Sequence, residues 1–197
     1  MGFTTKKSLL CRIKDGSSVG WEEFYKTYAP FIRAVGREEW RFCDADLGRL
    51  VSDVMLSVYN QGRISYDPAK GGFRVWLRRI VRRRASDIVK EDSRHAAPPD
   101  ALRIMEEDGR DTEGGSLCDA DRRWEALWRR HIFKEALDEL RASLEPKSYQ
   151  AFELFALKGQ PAKLVAATLG MGEGAVYVCK HRALAMLRER VRGMSDN

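Results

Sequence analysis

With 197 residues, a net charge of +6 and a pI near 9.2, the chain has room for one or two domains. Hydrophobic residues make up 44% and charged residues 32%, enough apolar material for helical cores and too much for a disordered chain. The longest stretches without Asp, Glu, Lys or Arg, 54–62 and 164–172, are nine residues, which excludes a membrane-spanning helix of about 20 apolar residues. The opening MGFTTKKSLLCRIKDG has neither the long apolar region nor the small-residue cleavage site of a signal peptide. A soluble, cytoplasmic protein without membrane contact is therefore expected.

Charge falls in blocks. Residues 70–90 carry eight basic residues and one acid, Asp87, a local +7. Residues 91–121 carry ten acids and three bases, a local −7, with Pro98-Pro99 and Gly114-Gly115 and few aliphatics, the composition of a flexible linker. Residues 158–192 are basic again, seven against two. The expected organisation is a basic domain over 1–91, an acidic tether over 92–120 and a second basic domain over 121–197.

Outside the tether nearly every segment has helical spacing. Residues 8–14 place Leu9, Leu10 and Ile13 on one side. After DGSS, a turn and helix cap, Trp21, Phe24, Tyr25, Tyr28, Phe31 and Ile32 recur at threes and fours. Leu47, Leu50, Val51, Val54, Met55 and Val58 do so over 45–60, and NQGRISYDPAKGG (60–72) reads as a loop. No run alternates with period two over strand length, so the fold class is all-α: two helical domains on either side of the linker.

The helix predicted over 73–89 buries Phe73, Trp76, Leu77, Ile80, Val81 and Ile88 on one stripe and carries Arg78, Arg79, Arg82 and Arg83 on or near the other side. Most charged helix faces are simply solvated. Like charges at helical spacing repel by tenths of a kcal/mol per pair, roughly, and a face made almost wholly of arginine points to a polyanion, nucleic acid above all. Arg84 projects onto the apolar stripe and needs a partner that the sequence does not name.

Further on, Trp124, Leu127 and Trp128 form one apolar face, and Phe133, Ala136, Leu137, Leu140 and Leu144 another. One straight helix cannot turn both to a single small core. The first face packs on the first domain or on a partner, or the helix kinks near His131.

GQPAKLVAATLGMGEGAVYVCKHRALAMLRERV (159–191) is the most informative stretch. Pro161 suits the opening of a helix, Leu164, Val165, Ala166 and Leu169 give it a buried side, and Gly170 permits a left-handed turn. A longer basic helix, from about Glu173 to Val191, buries Val176, Cys179, Ala183 and Leu187. Ala166 marks the close crossing of the two helices, and Val176 packs across their junction. This pattern is a helix-turn-helix, although an αα-hairpin with a glycine turn has the same signature. In such a motif the second helix enters the major groove, with Glu173, Tyr177, Lys180 and His181 exposed to bases, and Arg182, Arg188 and Arg190 placed for phosphates.

Taken together, these segments resemble the extracytoplasmic-function (ECF) sigma factors of bacterial RNA polymerase, over nearly the whole chain. WEEFYKTYAPFI resembles the opening helix of sigma region two, LVSDVMLSVY (50–59) its polymerase-binding helix, usually LVQEVFLKVW, and FRVWLRRIVRRRASDIVK (73–90) its melting and minus-ten helix, usually FRAWLYRIARNLAIDYLR. The final segment resembles region four, which binds the minus-thirty-five element. SLLCRIKDGSSVGWEEF and AVYVCKHRALAMLRE are similar to the branch abundant in planctomycetes.

The resemblance implies a promoter-specificity subunit whose partners are core RNA polymerase, promoter DNA and, in many relatives, an anti-sigma factor. Leu50, Asp53, Val54 and Leu56 would meet the polymerase. Arg63, Tyr66 and Lys70 in the loop would capture an unstacked base, and Trp76, Arg79, Arg82 and Arg83 would line the melted minus-ten strand, though Trp76 at the stripe's edge also suits a core role. Glu173, Tyr177, Lys180, His181 and Arg182 would read the minus-thirty-five element. The chain departs from the family pattern at Ser52 (usually Gln), Arg83 (usually Asn) and Leu164 (usually Glu), which puts the polymerase contact and the base preference of the melting face in question.

The alternative is a conventional helix-turn-helix regulator that binds duplex DNA, usually as a dimer. An enzyme is not expected: no P-loop, GxSxG, HExxH or carboxylate-rich metal cluster occurs. Cys11, Cys43, Cys118 and Cys179 lie 32, 75 and 61 positions apart, with His95, His131 and His181 equally scattered, unlike the close ligand pairs of zinc sites. No metal or cofactor is expected.

Overall fold

The computed structural model describes residues 6–62, 72–96 and 119–195, and these are helical throughout apart from short turns. Compact packing divides the chain into two units between Trp128 and Arg129.

The first unit opens with α1 (Lys6–Lys14), which buries Leu9, Leu10 and Ile13. The DGSS turn follows, and the Ser17 hydroxyl accepts the Gly20 N–H at 3.2 Å to cap α2 (Ser18–Glu39). Phe24, Tyr28, Phe31, Ile32 and Val35 of α2 are buried; Tyr25, one position off that stripe, is exposed. The next helix, α3 (Asp44–Gly62), buries Leu47, Leu50, Val51, Val54, Met55 and Val58. It crosses α2 over Gly36, where a Cβ would stand 2.7 Å from Leu47 Cδ2 and 2.9 Å from Leu50 Cδ2. Only a residue without a side chain admits that approach. Phe73, Leu77, Ile80, Val81, Ala85 and Ile88 are the buried stripe of α4 (Phe73–Ala96). This helix outruns its expected end at 89 and takes in the first residues assigned to the linker; the rest of the linker to 118 lies outside the described residues.

The open question of the tryptophan face is settled by α5 (Asp119–Ser143). Trp124 and Trp128 stand edge-on to Phe31 at 5.0 and 5.2 Å between ring centroids, and Trp128 lies 6.3 Å from Tyr28 and 6.4 Å from Phe73. Offset and edge-on pairs in this range are the favoured aromatic geometries. Residues 121–128, expected with the second domain, thus complete the core of the first unit.

The second unit contains the remainder of α5, then α6 (Pro146–Phe152), a π turn (Glu153–Leu157), α7 (Ala162–Leu169) and α8 (Glu173–Ser195). Ala136, Leu140, Phe152, Ala183 and Leu187 make one buried cluster, and Ala151, Ala162, Val165, Ala166 and Val176 a second. Phe133, expected on the buried face of α5, is exposed.

Candidate nucleic-acid interface

In the second unit α7 and α8 meet through the turn read from the sequence. Gly170 adopts φ 57° and ψ 52°, the left-handed conformation that favours glycine. The Met171 N–H donates to the Ala166 carbonyl at 3.0 Å, and Lys147 Nζ donates to the Gly170 carbonyl at 3.3 Å. Ala166 and Val176 pack across the junction as expected. Leu164 does not join them: it is 53% exposed, on the outer side of α7.

The side of α8 away from this core presents Glu173, Tyr177, His181 and Arg182, all exposed. Lys180 is half-buried, its ammonium 5.1 Å from the centre of the Phe155 ring. Tyr177 meets the same ring edge-on at 5.1 Å. Sequence reasoning missed Phe155, because it stands in a π turn and follows no helical period. Arg188 is exposed, but Arg190 corrects the reading of three phosphate-binding arginines. It is buried, with Nε 3.5 Å from Glu139 Oε2 and a guanidinium N–H donated to Ser143 Oγ at 2.7 Å. Its position, three beyond buried Leu187 and seven beyond Ala183, carries that signal.

In the first unit the arginines of α4 sort into two groups. Arg74 pairs with Glu125 at 2.9 Å, and Arg78 pairs with Asp121 and lies 6.0 Å from the Trp124 ring. Arg84 answers the question of its partner: it donates to Ser57 Oγ of α3 at 2.8 Å and to Asp87 at 3.2 Å. Arg79, Arg82 and Arg83 remain exposed. Trp76 is half-buried with its ring 5.6 Å from Phe73, so it packs on the edge of the core.

Beside this face Glu39 closes α2. Burial pushes its carboxyl above the ordinary value, and Arg78, Arg82 and Arg123 pull it back only in part. Its Oε1 is buried and makes no hydrogen bond among the described residues. Arg63, Tyr66 and Lys70 lie outside the described residues.

On α3 the four residues expected at the polymerase divide evenly. Leu50 and Val54 are fully buried and offer no surface to a partner, because they fall on the stripe that packs the bundle. Leu56 is 59% exposed, and Asp53 is half-exposed, 3.9 Å from Arg49 Nε. Ser52 and Tyr59 are exposed on the same helix.

The arrangement suits a polyanion in two ways. A helix packed on one side, with polar residues exposed at its N-terminal end, suits a DNA major groove about 12 Å wide. A row of exposed arginines, Arg79, Arg82 and Arg83, suits phosphates, which position a nucleic acid without reading its sequence. No protein-family model matches the chain, and no curated protein matches it either. Among the described residues no helix is long and apolar enough to cross a membrane.

Proposed function

We propose that the protein is a bacterial sigma factor of the ECF type, which binds core RNA polymerase and directs promoter-specific initiation. In this reading α8 reads the minus-thirty-five element through Glu173, Tyr177, Lys180, His181 and Arg182. The second contact is α4, which holds the melted minus-ten strand through Arg79, Arg82 and Arg83 with Trp76 as a stacking surface, joined by Arg63, Tyr66 and Lys70. Single strands are held by basic surfaces and aromatic stacking worth about 1–3 kcal/mol per base. Polymerase meets the exposed line of α3 at Asp53 and Leu56. The protein does no chemistry of its own and needs no cofactor.

The observation that carries the reading is the pairing of a helix-turn-helix in one unit with a separate row of exposed arginines, Arg79, Arg82 and Arg83, in the other. A conventional duplex-binding regulator needs only the first. The test is competition with the housekeeping sigma factor for bacterial core polymerase, followed by co-elution. Stoichiometric displacement supports the sigma reading; no binding to core, with salt-sensitive duplex binding by the free protein, supports the regulator. Replacing Arg79, Arg82 and Arg83 together by Ala is expected to leave folding intact and abolish promoter opening, read with permanganate on melted thymines. Unchanged opening removes α4 from the mechanism.

A further inference from the structure

Phe155 packs differently from Phe152, a near neighbour in sequence. Phe152, three positions earlier, is fully buried in the cluster with Leu140 and Leu187, and a regular helix keeps residues three apart on neighbouring faces. The π turn changes this. The Lys158 N–H donates to the Glu153 carbonyl at 2.9 Å, five residues back, and within this wider turn Phe155 packs on the second cluster, with Ala162, Val165 and Val176, beside the N-terminal part of α8. Such turns recur at functional sites. Phe155 then makes two contacts with the exposed side of α8: the ring face takes the Lys180 ammonium, and the Tyr177 ring stands against it at an interplanar angle of 80°.

We infer that Phe155 is a positioning residue for base readout, holding Tyr177 and Lys180 in their groove-facing conformations, and that Lys180 reads a guanine. The inference rests on the DNA-reading role proposed above for α8. Lysine is a long side chain that loses much rotamer freedom on binding. One whose ammonium already rests on a ring loses less, which strengthens and sharpens the contact it makes. The ring occupies one side of the ammonium, leaving N–H donors for the O6 and N7 acceptors that guanine presents in the major groove. Tyr177 sits three residues earlier on the same side of α8, so one ring fixes the spacing of both.

The test uses the full chain, alone and with bacterial core polymerase, to select from duplexes randomised over a window upstream of a fixed minus-ten element. Wild type is expected to enrich a motif containing a guanine whose preference Lys180→Ala erases. Phe155→Leu is expected to weaken preference at that same position about fivefold, the scale of one cation–π and one aromatic contact. Phe155→Tyr is expected to restore it, and helical circular dichroism is expected to stay at the wild-type level in both; Phe155→Met replaces the Leu variant if that level falls. Full preference in Phe155→Leu where Lys180→Ala has lost it overturns the positioning role and leaves the DNA reading standing. A loss spread evenly over all sequences does the same, and a base other than guanine at that position overturns the assignment to Lys180. If wild type enriches no motif in either setting, the DNA reading fails and this inference with it.

Discussion

The two basic helices, α4 and α8, both carry a surplus of cations and differ in what those cations do. On α4, Arg74 and Arg78 are held by Glu125 and Asp121, acids of the first turns of α5, and Arg84 ties α4 to α3 through Ser57. On α8 a single arginine, Arg190, is buried against Glu139 and Ser143, and Arg182 and Arg188 stay exposed. Each helix thus uses part of its charge as internal fastening and offers the rest outward. Local net charge measures their sum, and only the partners of each residue separate the two uses.

The largest effect that sharpens this contrast comes from Trp124, which fastens α5 to the first unit. Trp124→Ala is expected to cost about 3–5 kcal/mol, as for other large aromatic truncations. Hydrogen exchange should show lost protection in α2 and α4 with α7 and α8 unchanged; equal loss in α7 and α8 would break the division into separately packed units.

A smaller effect tests the fastened cations directly. Asp121→Asn with Glu125→Gln removes an acid partner from each of Arg78 and Arg74, and on the role proposed for α4 single-stranded DNA should bind several-fold tighter. Its salt dependence should steepen by about 0.7 in log–log slope for each cation released. An unchanged slope would mean that the two arginines stay engaged elsewhere.

The smallest effect concerns Glu39. Because its folded carboxyl titrates above its unfolded value of about 4.5, the folded state holds more protons across that window, and stability falls as pH rises through it. Glu39→Gln should flatten this decline in denaturation midpoints measured from pH 4 to 7. A slope equal to that of wild type would assign it to another group.

Much of the fold was legible because one rule governed it: apolar residues at threes and fours mark the buried side of a helix. That rule found α2, α3, α4 and α8, and turn chemistry found the Ser17 cap and the left-handed Gly170. It did not say against what a face is buried, so Trp124 and Trp128 stayed open until the packing on Phe31 and Tyr28 was in view. It was set aside at Arg190, where basic character outweighed a position on the Ala183–Leu187 stripe. It placed Leu50 and Val54 on the buried stripe of α3, and the family resemblance, which assigned them to the polymerase, pulled against it; both belong to the core. Phe155 was beyond it, since a π turn breaks the period on which the rule depends. At Leu164 the apolar identity was read as burial, and the outer side of a short helix proved to tolerate it.

The crossing at Gly36 bears on how a genetic screen of this protein would have to be interpreted. Leu47 and Leu50 seat α3 against a bare stretch of α2 backbone, and so set the angle at which Asp53, Leu56 and Tyr59 face outward. A methyl group at position 36 would force Leu47 and Leu50 to shift in the core beneath that line. On the polymerase-binding role proposed for α3, selection for lost binding would return Gly36 and Leu50 beside Leu56, and two of those three alleles would map the foundation of the proposed surface and not the surface itself.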